Sequence, residues 1–133
     1  IDNFKDSIVY AGINFRYNES TEVLNDINLR IPKGKTIALV GQSGSGKSTL
    51  VDLLPRFYDV IDGQISIDGI DIREIKLESL RKLIGYVNQT PILFNDTFFN
   101  NIAFGLDNVS IEDVIEAAKV ANAHEFITNT PGA

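Results

Sequence analysis

Gly41-Gln42-Ser43-Gly44-Ser45-Gly46-Lys47-Ser48 gathers three glycines and three serines around one lysine, directly behind the apolar run Ile37–Val40. The stretch fits G-x-x-x-x-G-K-[ST], and "KSTLVDLL" behind it reads as a helix. A polyphosphate needs many short donors converging on one point. Backbone N–H groups supply them where no side chain blocks the approach and the dihedrals are unrestricted, which glycine provides. The following helix adds its unpaired N-terminal N–H groups and the positive end of its dipole. Lys47 would set a full charge between the outer phosphates. Ser48 has a hydroxyl short enough to ligate a magnesium ion held by those phosphates, and Thr49 offers a second hydroxyl to an inner one. The residues from Gly41 to Thr49 are thus candidate binders of a nucleoside triphosphate with Mg2+. A glycine-rich turn with a solvated lysine is the plainer reading, and a match at every fixed position between a strand and a helix disfavours it.

Such a loop must be carried by a sheet. Ile37–Val40 is apolar on both faces, as a central parallel strand would be. Ile13, Phe15 and Tyr17 alternate with polar residues, "RYNEST" turns the chain, and Val23, Ile27, Leu29 and Ile31 alternate again. Pro32-Lys33-Gly34-Lys35 is a turn whose lysines are solvated. Pro55 ends or kinks the first helix near Leu54. Ile65 and Ile67 lead into a hairpin at Asp68-Gly69, Glu78–Lys82 is a short helix, and Leu83–Val87 reads as a second buried strand. From Ser110 the pattern is helical, with Ile111, Val114, Ile115, Ala118 and Ala121 on one face and Ser110 with Asp113 in a capping box. Pro131-Gly132 closes the readable pattern.

Composition narrows the function. The 133 residues carry a net charge of −6 with no Lys/Arg cluster, which excludes nucleic acid as a partner. There is no cysteine and one histidine, so disulfides, thiolate metal sites and a histidine-based metal site are excluded within the chain. His124 reads as a solvated helix residue. No apolar stretch approaches the roughly 20 residues that span a bilayer, and "IDNFKDSIVY" lacks the pattern of a signal peptide. By itself the loop leaves three readings: a transport ATPase, a small-molecule kinase or GTPase, and a nucleotide-binding module without turnover. The N-K-x-D run that reads guanine is missing, which weakens the GTPase case.

The flanking residues resemble the ATP-binding cassette (ABC) family, specifically the ATPase domain of exporter-type transporters, almost end to end. The resemblance is carried by "INFRY", "VLNDINLRIPKGKTIALVGQSGSGKSTLVDLLPRFYDVIDGQISIDGIDI", "LRKLIGYVNQTPILFNDTFFNNIAFG" and "SIEDVIEAAKVANAHEFI". It implies that Tyr17 stacks on adenine, although its strand position alone suits a core or surface aromatic better. Val23 would pad the adenine or ribose edge, or serve as an ordinary strand residue. Gln89 would touch magnesium and the attacking water, so Lys47 and Gln89 are the catalytic candidates and Ser48 and Gln89 the metal candidates. Core packing accounts for most of Phe57, Tyr58, Phe94, Phe98 and Phe99. One or two of them, with Arg56, would help dock a coupling helix of the transmembrane domain, near Gln89–Phe99 and Arg56–Tyr58. A second ATPase domain, identical or not, would complete the assembly on the cytoplasmic face of the cell membrane.

The resemblance also marks what is missing. No apolar strand ends in the second magnesium-binding acid, and the "LSGGQ" signature, D-loop and switch histidine do not occur. The expectation is therefore an incomplete α/β phosphate-loop NTPase fold of the ABC ATPase type. Residues 1–98 would hold an antiparallel β-subdomain and part of the nucleotide-binding core, and residues 99–133 the start of the α-helical subdomain. Such a piece would bind ATP without hydrolysing it, expose apolar faces and edges, and self-associate or be of low stability. The transported lipid, peptide or drug is not specified by these residues.

Overall fold

A computed structural model of the chain describes residues 3–19 and 21–131. Ser20 of the "RYNEST" turn and Gly132 of the final Pro-Gly lie outside the described residues. The chain divides into two compact units, residues 1–86 and 87–133.

The first unit is built on a four-stranded antiparallel sheet in the order β2-β1-β3-β4, from β1 (Ser7–Arg16), β2 (Glu22–Pro32), β3 (Asp62–Ile67) and β4 (Ile70–Asp71). Tyr10 is opposite Leu29 on one side and Ile65 on the other. A strict two-residue alternation cannot bury both Tyr10 and Ile13, which sit at opposite parity. Both are buried because the register shifts between them, with Gly12 at φ 58. The same shift acts on β2. Asp26 has φ 45, so Leu24 is the residue that reaches the core while Ile27, Leu29 and Ile31 pack partly buried beside it. The simple alternation expected from Val23 onward is corrected accordingly: Val23 is half-buried and its neighbour Leu24 is inside. Two asparagines patch the distortion, as Gly12 N–H donates to Asn28 Oδ1 (2.9 Å) and Asp26 N–H to Asn14 Oδ1 (2.9 Å).

Helices α1 (Lys47–Leu53) and α2 (Leu77–Lys82) complete this unit. Leu50, Leu53 and Leu80 join Tyr10, Ile13, Phe15, Leu24, Ile65, Ile67, Ile72 and Ile75 in one core. The helix α1 stops at Leu54, next to Pro55, as the sequence required. The hairpin at Asp68-Gly69 also forms as expected.

The two runs read as buried parallel strands depart from expectation. Neither Ile37–Val40 nor Leu83–Val87 is paired in a ladder among the described residues, and Val40 and Val87 are 93% and 94% exposed. A central parallel strand is stable only with neighbours on both edges and cover on both faces. No described strand supplies those neighbours, so among the described residues no parallel core sheet forms and apolar side chains lie open, in line with the exposed faces expected above.

The second unit is helical: α3 (Phe98–Ile102), α4 (Ile111–Val120) and α5 (His124–Thr128). The Ser110–Asp113 capping box is present in both directions. Val114 and Ala118 are buried, whereas Ile111 and Ala121 of the expected apolar face are exposed. Among the described residues no helix is long and apolar enough to cross a membrane.

Candidate functional site

The phosphate loop enters α1 through Gly46, which caps the helix in the left-handed conformation at φ 85. A Cβ there would lie 2.7 Å from Leu24 Cδ2 and 3.0 Å from the carbonyl oxygen of Val23. Glycine is required twice over, by dihedral and by space. Gly44 is also left-handed, at φ 80, while Ser45 between them is not. That alternation is the backbone form of an anion-binding nest.

Lys47 is folded back onto the loop. Its ammonium donates to the carbonyls of Gly41 (2.9 Å) and Gln42 (2.7 Å) and to Ser45 Oγ (3.2 Å). A charged phosphate oxygen is a stronger acceptor than any of these neutral groups, so the ammonium can exchange them for it. Behind the loop, α1 is anchored from the sheet by Tyr10. Its buried hydroxyl donates to the Leu50 carbonyl (3.3 Å), and burial pushes the phenol up to about 12, so it remains a donor at neutral pH.

The sheet also reaches over the loop. Tyr17 follows the end of β1, half exposed, and its hydroxyl shares a 2.9 Å hydrogen bond with Thr49 Oγ1, 32 residues further on. Tyr17, Val23 and the residues from Gly44 to Thr49 line one cavity of about 290 Å³. Ser48 is exposed in it and Thr49 is buried. Gly41 lines a neighbouring cavity with Leu39 and Val40, while Gln42 and Ser43 line neither. Gln89 belongs to the second unit, in an exposed bend beyond Val87.

Among the described residues no group of His, Asp and Glu side chains could hold a metal by itself. Mg2+ bound with a nucleotide suits this donor set, because such an ion takes phosphates and water with one or two protein ligands. The Ser48 hydroxyl on the cavity wall is the fitting ligand on the loop.

One feature escaped the sequence. Tyr58, which the sequence left between core packing and docking, lies edge-on to Tyr17 with centroids 5.1 Å apart, and tilted against buried Phe15 at 5.8 Å. Nothing local announces a contact between residues so far apart in the chain. Phe57 turns the other way, edge-on to Tyr86 and under Arg81. In the second unit Phe94 stacks on Phe104 at 4.5 Å, beside an apolar groove of about 490 Å³ lined in part by Leu93, Phe98, Ile102 and Val114.

The site thus joins a glycine loop at a helix start to an antiparallel sheet whose strand end brings an aromatic ring to the same cavity. The sequence matches the ABC transporter family over residues 24–132, and the chain belongs to that family. It is 53% identical over 131 residues to an ATP-dependent lipid A-core flippase of Syntrophus aciditrophicus (strain SB), covering 98% of this chain and 22% of that protein. It is 47% identical over 131 residues to a putative multidrug export ATP-binding/permease protein of Bacillus subtilis (strain 168), covering 98% of this chain and 23% of that one. Among solved structures, a bacterial Atm1-family ABC exporter with ATP bound superposes with a TM-score of 0.92 at 41% identity, over 98% of this chain and 23% of that chain. The fold is that of the ABC ATPase, with its antiparallel sheet. The chain spans less than a quarter of the length of these relatives. They are transporters and exporters by name, and none is a kinase or a GTPase.

Proposed function

We propose that this chain is the ATP-binding first part of the ATPase domain of an ABC exporter. In the whole polypeptide, ATP binding and hydrolysis would drive a lipid, peptide or drug-like substrate across a membrane, with this domain on the cytoplasmic face. The observation that carries the reading is the cavity shared by Tyr17, Val23 and the loop from Gly44 to Thr49. It offers an aromatic face and an apolar wall for a base, and amides, an ammonium and two hydroxyls for a triphosphate.

Each group has a task in this reading. Tyr17 stacks on adenine and releases Thr49 to an inner phosphate. The loop amides and Lys47 hold the outer phosphates, drawing negative charge toward the bond to be broken. Ser48 would hold Mg2+, whose chemistry is to neutralise charge on the phosphates, and the family resemblance assigns Gln89 to the metal and the attacking water. The transmembrane part docks on the segment Gln89–Phe99, where the stacked Phe94 and the apolar groove offer exposed aromatic surface. A second ATPase domain completes the working dimer. The 133-residue chain alone binds nucleotide without turnover, because the second magnesium-binding acid and the signature segment do not occur in it.

The test is titration calorimetry with MgATP and MgGTP. Lys47→Ala should weaken MgATP by about ten- to a hundredfold, the scale of losing a charge-assisted hydrogen bond to phosphate. Tyr17→Ala should weaken ATP without creating a preference for GTP. No heat with MgATP on a folded chain would refute the site. Multiple-turnover hydrolysis abolished by Lys47→Ala would refute the claim that the chain cannot turn over.

A further inference from the structure

Tyr17 is 53% exposed, and an exposed ring at a strand end has rotamer freedom to lose before it can stack. The structure surrounds it on three sides. Phe15, buried in the core, meets it edge-on at 5.0 Å and 89°. Thr49 holds its hydroxyl at 2.9 Å. Tyr58 meets it edge-on at 5.1 Å and 85°. Of these three, the Thr49 contact runs through a hydroxyl that a phosphate would also engage, whereas Phe15 and Tyr58 hold the ring itself.

Tyr58 is itself fixed with unusual care for a loop residue. It lies between Arg56 and Asp59, whose side chains close an ion pair at 2.9 Å across it. Arg56 has φ 54, which turns the chain sharply after α1, and its guanidinium also reaches the Ile72 carbonyl (3.4 Å). From α2, Arg81 donates to the carbonyls of Pro55 (3.0 Å) and Arg56 (3.1 Å). A short segment is thus tied to two other parts of the unit, and its aromatic ring is aimed at Tyr17.

We infer that Tyr58 is a positioning residue for base recognition: it holds the Tyr17 ring in the orientation that stacks on the adenine of a bound nucleotide. The inference rests on the nucleotide-site reading above and adds to it a specific residue outside the loop. The contact is ring to ring, so it needs the aromatic face and edge of Tyr58 and not its hydroxyl. An edge-to-face pair of this kind carries about 0.5–1.5 kcal/mol, which is about two- to tenfold in an equilibrium constant. Tyr58 acts through Tyr17, so its effect should fall on the base-dependent part of affinity and vanish when Tyr17 is gone.

The experiment compares ATP with inorganic tripolyphosphate, titrated into the full-length protein in EDTA so that hydrolysis is suppressed. Tyr58→Ala should weaken ATP about two- to tenfold and leave tripolyphosphate unchanged. Tyr58→Phe should match the unsubstituted protein. In a Tyr17→Ala background, Tyr58→Ala should add nothing, the non-additivity expected of residues acting as one unit. Equal loss of ATP and tripolyphosphate would mean that Tyr58 supports the loop generally, and would overturn the inference. So would full additivity with Tyr17→Ala, or a Phe variant as weak as the Ala variant. If Tyr17→Ala weakens ATP and Tyr58→Ala does not, the inference fails alone. If Tyr17→Ala leaves ATP binding intact, the stacking role of Tyr17 fails and takes the inference with it.

Discussion

Gly46→Ala tests whether the phosphate loop is shaped by the sheet behind it or only by its own sequence. Two separate costs follow from the geometry. An alanine at φ 85 occupies left-handed space, at about 1–2 kcal/mol. Its Cβ would also stand 2.7 Å from Leu24 Cδ2 and 3.0 Å from the Val23 carbonyl oxygen. Leu24 is 4% exposed and the carbonyl belongs to β2, so neither can swing aside, and overpacking of this kind adds about 1–3 kcal/mol. The sum is about 2–5 kcal/mol, and at about 4–8 °C per kcal/mol for a unit the size of residues 1–86 the thermal midpoint falls by about 8 °C or more. The chain can instead relieve the clash by moving the loop off β2, which spares stability but scatters the amides and weakens MgATP binding. Either way one of the two readouts must move. Gly34→Ala is the control: φ is 75 but nothing lies within 4 Å, so only the dihedral cost applies. Calorimetric melting and MgATP titration on both variants decide the matter. If Gly46→Ala melts no lower than Gly34→Ala and binds MgATP within about twofold of the unsubstituted chain, the account of the loop as wedged against β2 is wrong.

Two further outcomes follow from other parts of the structure. Asp68 accepts from the N–H groups of Lys5 (2.7 Å), Asp6 (2.7 Å) and Ser7 (3.1 Å). Burial raises its pKa, but those bonds and the charge of Lys33 outweigh this and hold it below the ordinary carboxylate value. Its contribution to stability is therefore present above the unfolded carboxyl pKa and is lost as pH falls through the lower folded value. Asp68→Asn should flatten the fall in denaturant midpoint between about pH 5 and pH 3, and parallel curves for the two proteins would contradict this. Val40→Lys with Val87→Lys, at the two most exposed valines, should reduce concentration-dependent light scattering by the 133-residue chain while leaving its thermal midpoint in place. Unchanged scattering would mean that the open apolar runs do not drive association.

What the sequence disclosed depends on how far each feature reaches along the chain. The left-handed turns of the glycine loop were legible because their dihedral demands fall within the run Gly41–Thr49. The hairpin at Asp68-Gly69, the stop at Pro55 and the capping box at Ser110 are equally local, and all three are present. Features set by remote pairing were misread. Parity along β1 and β2 is reset at Gly12 and Asp26, so Leu24 and not Val23 enters the core. No single-strand pattern announces a bulge on its partner. The contact of Tyr58 with Tyr17 was not foreseen, because only the folded chain brings the two rings together.

Ile37–Val40 is the instructive case, because its residues are those of a central strand and yet it forms none. Hydrophobicity on both faces states what surroundings a segment requires; it does not create them. Strand pairing is a property of at least two segments, and among the described residues no other segment pairs with this one. The glycine loop behind it nevertheless keeps its left-handed turns, because Gly46 is wedged against Leu24 and α1 is tied to Tyr10, both supports from the antiparallel sheet. The shape of the loop is thus held from the side of the antiparallel sheet, the same side that brings Tyr17 and Val23 to its cavity. On the proposed reading, base and phosphates would both be held through that sheet, and damage to β2 should impair ATP and tripolyphosphate binding together.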